Sequence, residues 1–171
     1  MERNRTGHGM KIAFRQTAIG RIGIGERAGE ITNLFFEGYA VPEDAEIRET
    51  DILREAFRQL EAWLAGELRE FSLPLDPDGT PFMKQVWGRL QEIPCGSTAT
   101  YGAIAAASGN PGAARAVGMA CNRNPIPLFI PCHRVVGSGG RLTGFRGGLP
   151  LKERLLELER LHSAGAAPFP S

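Results

Sequence analysis

Residues 80–121 read TPFMKQVWGRLQEIPCGSTATYGAIAAASGNPGAARAVGMAC, and their punctuation decides the fold of the C-terminal half. Thr80 followed by Pro81 is an N-cap and first-turn pair, because the threonine oxygen accepts an orphan backbone N–H and proline has none to lose. The helix opened there carries Phe82, Val86, Trp87 and Leu90 and stops at Pro94 and Gly96. Thr100 caps a second short helix, YGAIAAAS, that ends near Gly109. Asn110 caps a third, with Pro111 in its first position, running through Arg115, Val117 and Met119 to about Cys121. Two short helices joined by a tight glycine-containing turn have the helix-turn-helix layout, which carries its second helix into a DNA groove. That second helix is mostly Gly and Ala, and small residues admit close approach of DNA or of another helix equally.

Working outward, the text from Lys11 to Phe36 gives three short β-rich runs broken by glycine-containing turns. An acidic loop, VPEDAEIRET, follows at 41–50. Ile52, Leu53, Ala56, Phe57, Leu60, Trp63 and Leu64 then recur at helical spacing, so an amphipathic helix must cover one face of the sheet. After FSLPLD and the turn PDGT the composition shifts, and the domain boundary is placed near Gly79. The organisation expected is a flexible leader at 1–9, an N-terminal domain at 10–78, a C-terminal domain at 79–162 and a flexible tail at 163–171.

The 171 residues allow one large or two small domains, against roughly 100–200 per domain. With 42% hydrophobic and 23% charged residues a packed core is expected rather than disorder. No apolar run approaches the roughly 18–20 residues that span a bilayer, and MERNRTGHGM lacks a signal-peptide core, which points to a cytoplasmic protein without membrane contact. Cys95, Cys121 and Cys132 are odd in number and unpaired in spacing, as in a reducing compartment. Residues 1–78 hold 10 Lys+Arg against 15 Asp+Glu, and residues 79–171 hold 10 against 4, so the C-terminal half, at +6, is the one suited to an anionic partner.

The chemistry concentrates in NPIPLFIPCHRVVGSGG, residues 124–140. Cys132 sits between an apolar β-branched run and a Gly/Ser-rich loop, with His133 and Arg134 beside it. Neighbouring cations lower a thiol pKa and raise its thiolate fraction, as a nucleophile requires. On a strand, adjacent side chains point to opposite faces, so His133 reaches the sulfur only where the chain bends or through a water. Three scattered Cys and three scattered His (His8, His133, His162) lack metal-ligand spacing, and neither a phosphate loop nor a dinucleotide fingerprint is present, so no metal and no cofactor are expected.

IPCHRV at 130–135 resembles the active-site signature of the O6-alkylguanine-DNA alkyltransferases. The resemblance extends to Asn124-Pro125, eight residues before the cysteine, RAVG at 115–118, TYGAIA at 100–105, the FxxxVW-type helix at 82–87, LTGF(x)GG at 142–148 and KERLLELE at 152–159. It covers roughly residues 10–162 in a single order.

The resemblance implies an α/β (α+β) architecture with a ribonuclease-H-like sheet domain followed by a winged-helix-like domain. It also implies single-turnover, irreversible transfer of the alkyl group from O6 of guanine in double-stranded DNA, with O4 of thymine as a second candidate position, to Cys132. On the same basis His133 is a water-mediated base, Glu159 orients it, Tyr101 gives a proton to guanine and Asn124 holds the turn. Arg115 is the finger that fills the stack vacated by a flipped base. Ala113, Ala114 and Gly118 lie in the minor groove, with Thr98, Tyr101 and Arg123 also at DNA. Pro127, Val135, Phe145, Arg146 and Cys121 form the pocket, Phe145 standing where most relatives have Tyr. Cys95 and Cys121 are read as structural. The protein is expected to act as a monomer that can cluster on DNA. Three rivals remain: a damage-sensing module, disfavoured by the presence of Cys132; a transcriptional regulator, for whose extra module there is no room; and a Cys-His-Glu hydrolase, distinguished by turnover.

Overall fold

The computed structural model describes residues 9–163; the leader at 1–8 and the tail from 164 lie outside the described residues. Two compact units divide between Asp78 and Gly79.

In the first unit β1 (Lys11–Thr17), β2 (Gly20–Arg27) and β3 (Glu30–Phe35) form an antiparallel meander, and β4 (Glu46–Ile47) adds in parallel beside β1, giving the order β3-β2-β1-β4. β4 lies in the stretch read from sequence as an acidic loop. With two exposed residues it offers no alternating pattern to detect. Helix α1 (Asp51–Leu64) is capped by the Thr50 hydroxyl, which accepts from Leu53 N–H. It ends in a Schellman turn: Glu67 N–H reaches Ala62 C=O, Gly66 N–H reaches Trp63 C=O, and Gly66 takes the left-handed φ of 78° that only glycine adopts freely. Leu53, Ala56, Phe57, Leu60 and Trp63 face the sheet and are buried against Ile12, Ile22, Ile24 and Ile31.

The second unit holds α2 (Pro81–Leu90), β5 (Ala99–Thr100), α3 (Tyr101–Ala107), α4 (Ala114–Asn122), β6 (Val135–Val136) and α5 (Leu149–His162). Thr80 caps α2 through Met83 N–H, and Thr100 caps α3 through Ala103 N–H. Trp87 is buried and its indole N–H donates to Ala120 C=O, so α2 is tied to the end of α4. Val86, Leu90, Ile104, Val117, Ile126, Ile130, Val135 and Leu155 complete the core.

Three local expectations change. Helix α4 begins at Ala114 and not at Pro111. Asn110 contributes its carbonyl to a turn closed by Ala113 N–H, so its side chain caps nothing and Gly112 stays outside the helix. The apolar run before Cys132 is not a strand. Pro125, Pro127 and Pro131 have no N–H to offer a ladder, Leu128 turns through φ 75°, and Cys132–Arg134 form a 3₁₀ turn that precedes β6. Ser163, expected in the tail, is buried, and its hydroxyl donates to the Cys95 sulfur at 3.1 Å.

Candidate active site

Asn124 explains how a proline-rich segment holds one shape. It is completely buried; its side-chain N–H donates to Ile130 C=O at 2.9 Å, and its side-chain oxygen accepts from Ile126 N–H at 3.0 Å. Ile130 C=O also accepts from Cys132 N–H at 2.8 Å, so one carbonyl fixes both the turn and the cysteine backbone.

The 3₁₀ turn sends His133 and Arg134 inward. His133 Nε2 lies 2.9 Å from Glu159 Oε1, both groups fully buried. Arg134 grips the same carboxylate, its Nε 3.0 Å from Oε1 and 3.1 Å from Oε2 with Nη2 also on Oε2, while Nη1 donates to Ile93 C=O at 2.7 Å. His133 and Arg134 between them hold Glu159 ionised, far below the usual carboxylate range, against the opposing effect of burial. A carboxylate only accepts, so His133 Nε2 carries the hydrogen and Nδ1 carries the lone pair. Burial pushes the imidazole pKa below 6.5, more than Glu159 raises it, which keeps the ring neutral near pH 7.

The adjacent cations therefore do not activate the thiol. Burial raises the pKa of Cys132 above its ordinary 9.0; the groups that oppose this are the Asn124 side chain, Lys152 and Arg146. Arg134 is already committed to Glu159, and His133 is neutral. A base acting at the moment of attack suits such a thiol better than a standing thiolate does.

Cys132 opens into a cavity of about 390 Å³ shared with Tyr101, Ala114, Arg115, Gly118, Cys121, Asn122, Thr143, Gly144, Phe145 and Arg146. Helix α4 supplies one wall and residues 143–146 the other. Tyr101 hydroxyl is 2.8 Å from Thr143 Oγ1, and burial raises its pKa. Arg146 donates to Asn124 C=O at 3.2 Å. Cys121 has its thiol pKa pushed far up by burial.

Of the residues expected in the pocket, Cys121, Phe145 and Arg146 line this cavity and Pro127 and Val135 do not, while Thr98, Ala113 and Arg123, expected at DNA, stand outside it. Val135 is fully buried in β6, paired with Ala99, and Pro127 is buried in the turn; neither side chain lines the cavity. Thr98 is exposed on a second cavity, of about 610 Å³, with Leu142, Pro150 and Glu153. Ala113 precedes α4 and Arg123 follows it, exposed. Among the described residues no cluster of metal-ligating side chains occurs, and no helix is long and apolar enough to cross a membrane.

Sequence reasoning missed Lys152. It is fully buried in α5, donating to Val135 C=O at 2.6 Å and Thr143 C=O at 2.9 Å. The available signal was spacing: Lys152, Leu155 and Glu159 stand at i, i+3 and i+7, on one helix face. Two charges on that face blunt the hydrophobic pattern that would mark it as buried.

Fold and site together define a protein that presents a buried cysteine at the floor of a cavity walled by the second helix of a helix-turn-helix. Models of the 6-O-methylguanine DNA methyltransferase DNA binding domain and ribonuclease-like domain match residues 81–161 and 10–77. The methylated-DNA–protein-cysteine methyltransferase of Methanosarcina acetivorans is 56% identical over 116 residues, 68% of this chain and 74% of that protein. The constitutive one of Bacillus subtilis is 43% identical over 153 residues, 85% and 93% of the two chains. The crystal structure of Mycobacterium tuberculosis OGT in complex with DNA superposes with a TM-score of 0.84 at 40% identity, covering 91% of this chain and 96% of that one. The chain belongs to the 6-O-methylguanine DNA methyltransferase family.

Proposed function

We infer that this protein repairs alkylated DNA directly, moving the alkyl group from O6 of guanine to Cys132 in a single, irreversible turnover. The observation that carries the reading is the Cys132 cavity, with a neutral His133 held by an ionised Glu159 behind it and Arg115 at its edge. Its partner is double-stranded DNA carrying O6-alkylguanine, and it works where DNA is, in the cytoplasm.

Inside a stacked duplex the alkyl carbon is out of reach, so the nucleotide turns into the cavity while Arg115, exposed at the start of α4, fills its place. His133 takes the thiol proton through a water. The sulfur attacks the alkyl carbon, the C–S bond forms as the C–O6 bond breaks, and the bonding pair passes to guanine. Tyr101 donates a proton to the purine, and the thiol proton makes good that loss, so thiol and alkylguanine become thioether and guanine. No hydrolytic step follows, and each molecule acts once.

The test is intact mass after mixing with an oligonucleotide containing one O6-methylguanine. The expected result is one gain of about 14 Da, at Cys132 only and absent from Cys132→Ser. Binding without gain would make the protein a damage sensor, and many conversions per molecule would make it a hydrolase.

A further inference from the structure

Thr143 is held by two hydrogen bonds. Its hydroxyl meets Tyr101 hydroxyl at 2.8 Å, and its carbonyl accepts from the buried Lys152 ammonium at 2.9 Å. Its methyl group lies near Gly137, 3.4 Å from the point where an added Cβ would stand. A side chain fixed in this way presents its hydroxyl in one direction without ordering cost at the moment of reaction.

A phenol has one hydrogen to give and lone pairs with which to accept. If Tyr101 gave its hydrogen to Thr143 while the base is bound, it would have none for guanine. With the opposite polarity the threonine donates, the tyrosine hydrogen points into the cavity, and the two bonds strengthen each other. We propose that Thr143 is a positioning residue for alkyl transfer: its hydroxyl donates to Tyr101, aims the phenol hydrogen at the flipped base and steadies the phenol oxygen as that hydrogen leaves.

Electrostatics point the same way. Burial raises the Tyr101 pKa, and the Thr143 bond is what draws it back down, easing proton release. Lys152 extends the chain: one ammonium joins Val135 C=O, just after the nucleophile turn, to Thr143 C=O in the opposite wall, so the donor pair keeps its place relative to Cys132. This inference rests on the reading of Tyr101 as the proton donor.

The test compares single-turnover methyl transfer and DNA affinity in Thr143→Val, Thr143→Ser, Tyr101→Phe and the Thr143→Val/Tyr101→Phe pair, on an oligonucleotide containing O6-methylguanine. Thr143→Val should transfer roughly tenfold more slowly at unchanged affinity. Thr143→Ser should return to within about twofold of the parent, and Thr143→Val should add nothing once Tyr101 is Phe. An undiminished rate in Thr143→Val, a serine variant as slow as the valine one, or additive losses in the pair would overturn the inference while leaving Tyr101 as donor. An unchanged rate in Tyr101→Phe would overturn the donor reading and this one with it.

Discussion

Glu159→Gln separates two roles that one carboxylate combines. Glu159 is fully buried and accepts from Arg134 and from His133. The amide keeps the shape but removes the charge, stranding the Arg134 guanidinium in a buried site. Removing one partner of a buried pair costs about 3–5 kcal/mol, because the survivor keeps its desolvation penalty. For a chain of this size that corresponds to a fall in Tm of roughly 6–20 °C, to be read by calorimetry. Independently, Gln offers His133 a donor as readily as an acceptor, so the imidazole tautomer is no longer specified. Single-turnover methyl transfer, followed by intact mass at a temperature where the variant is folded, should slow by about 10²-fold or more. The control is Arg134→Met/Glu159→Met, in which both charges go and the stranded-charge penalty is lifted, less about 1–3 kcal/mol each for the Ile93 carbonyl left without Arg134 and the His133 Nε2–H left without Glu159. Transfer should stay slow in that variant. Recovery of transfer along with stability would refute the argument that Glu159 orients the base.

Other outcomes follow from the same geometry. His133 has its folded pKa depressed by burial, so below about pH 6.5 the unfolded chain binds its proton first and stability falls with pH; Glu159, also depressed, adds a loss of the same sign around and below its ordinary 4.5. Transfer should be flat from about pH 7 to 8.5 and drop in acid, whereas a tenfold rise per pH unit would mean that free thiolate, and not a His-assisted thiol, attacks. Asn124→Ala strands Ile126 N–H and leaves Ile130 C=O with one donor fewer, and should cost about 2–4 kcal/mol in denaturant unfolding while slowing transfer. Arg115→Ala should weaken binding to DNA and reduce the slope of log K against log salt by about 1, measured by fluorescence anisotropy, if this cation touches phosphate as well as the stack.

Periodicity and capping were legible in the linear text wherever a local rule acts alone. The Thr80 and Thr100 hydroxyls cap the helices that follow them, and Leu53, Ala56, Phe57, Leu60, Trp63 and Leu64 of α1 are buried as their spacing implies, with Ile52 only half-buried and polar Gln59 buried beside them, because a side chain three residues from an orphan N–H, or on one face of a 3.6-residue period, has its place set by backbone geometry. The cluster around Cys132 was legible as composition. What it does electrostatically was not. The sequence places Arg134 and His133 next to the cysteine, yet the 3₁₀ turn sends them to Glu159, 25 and 26 residues away, while the cations that act on the sulfur are Lys152 from the same distant helix and Arg146 from the loop before it. Local rules act over three or four residues of chain, whereas Coulomb's law acts through space. Folding therefore had to decide which charges meet in the dry interior, that the thiol pKa goes up and not down, and that Thr143 stands beside Tyr101 across 42 residues of chain.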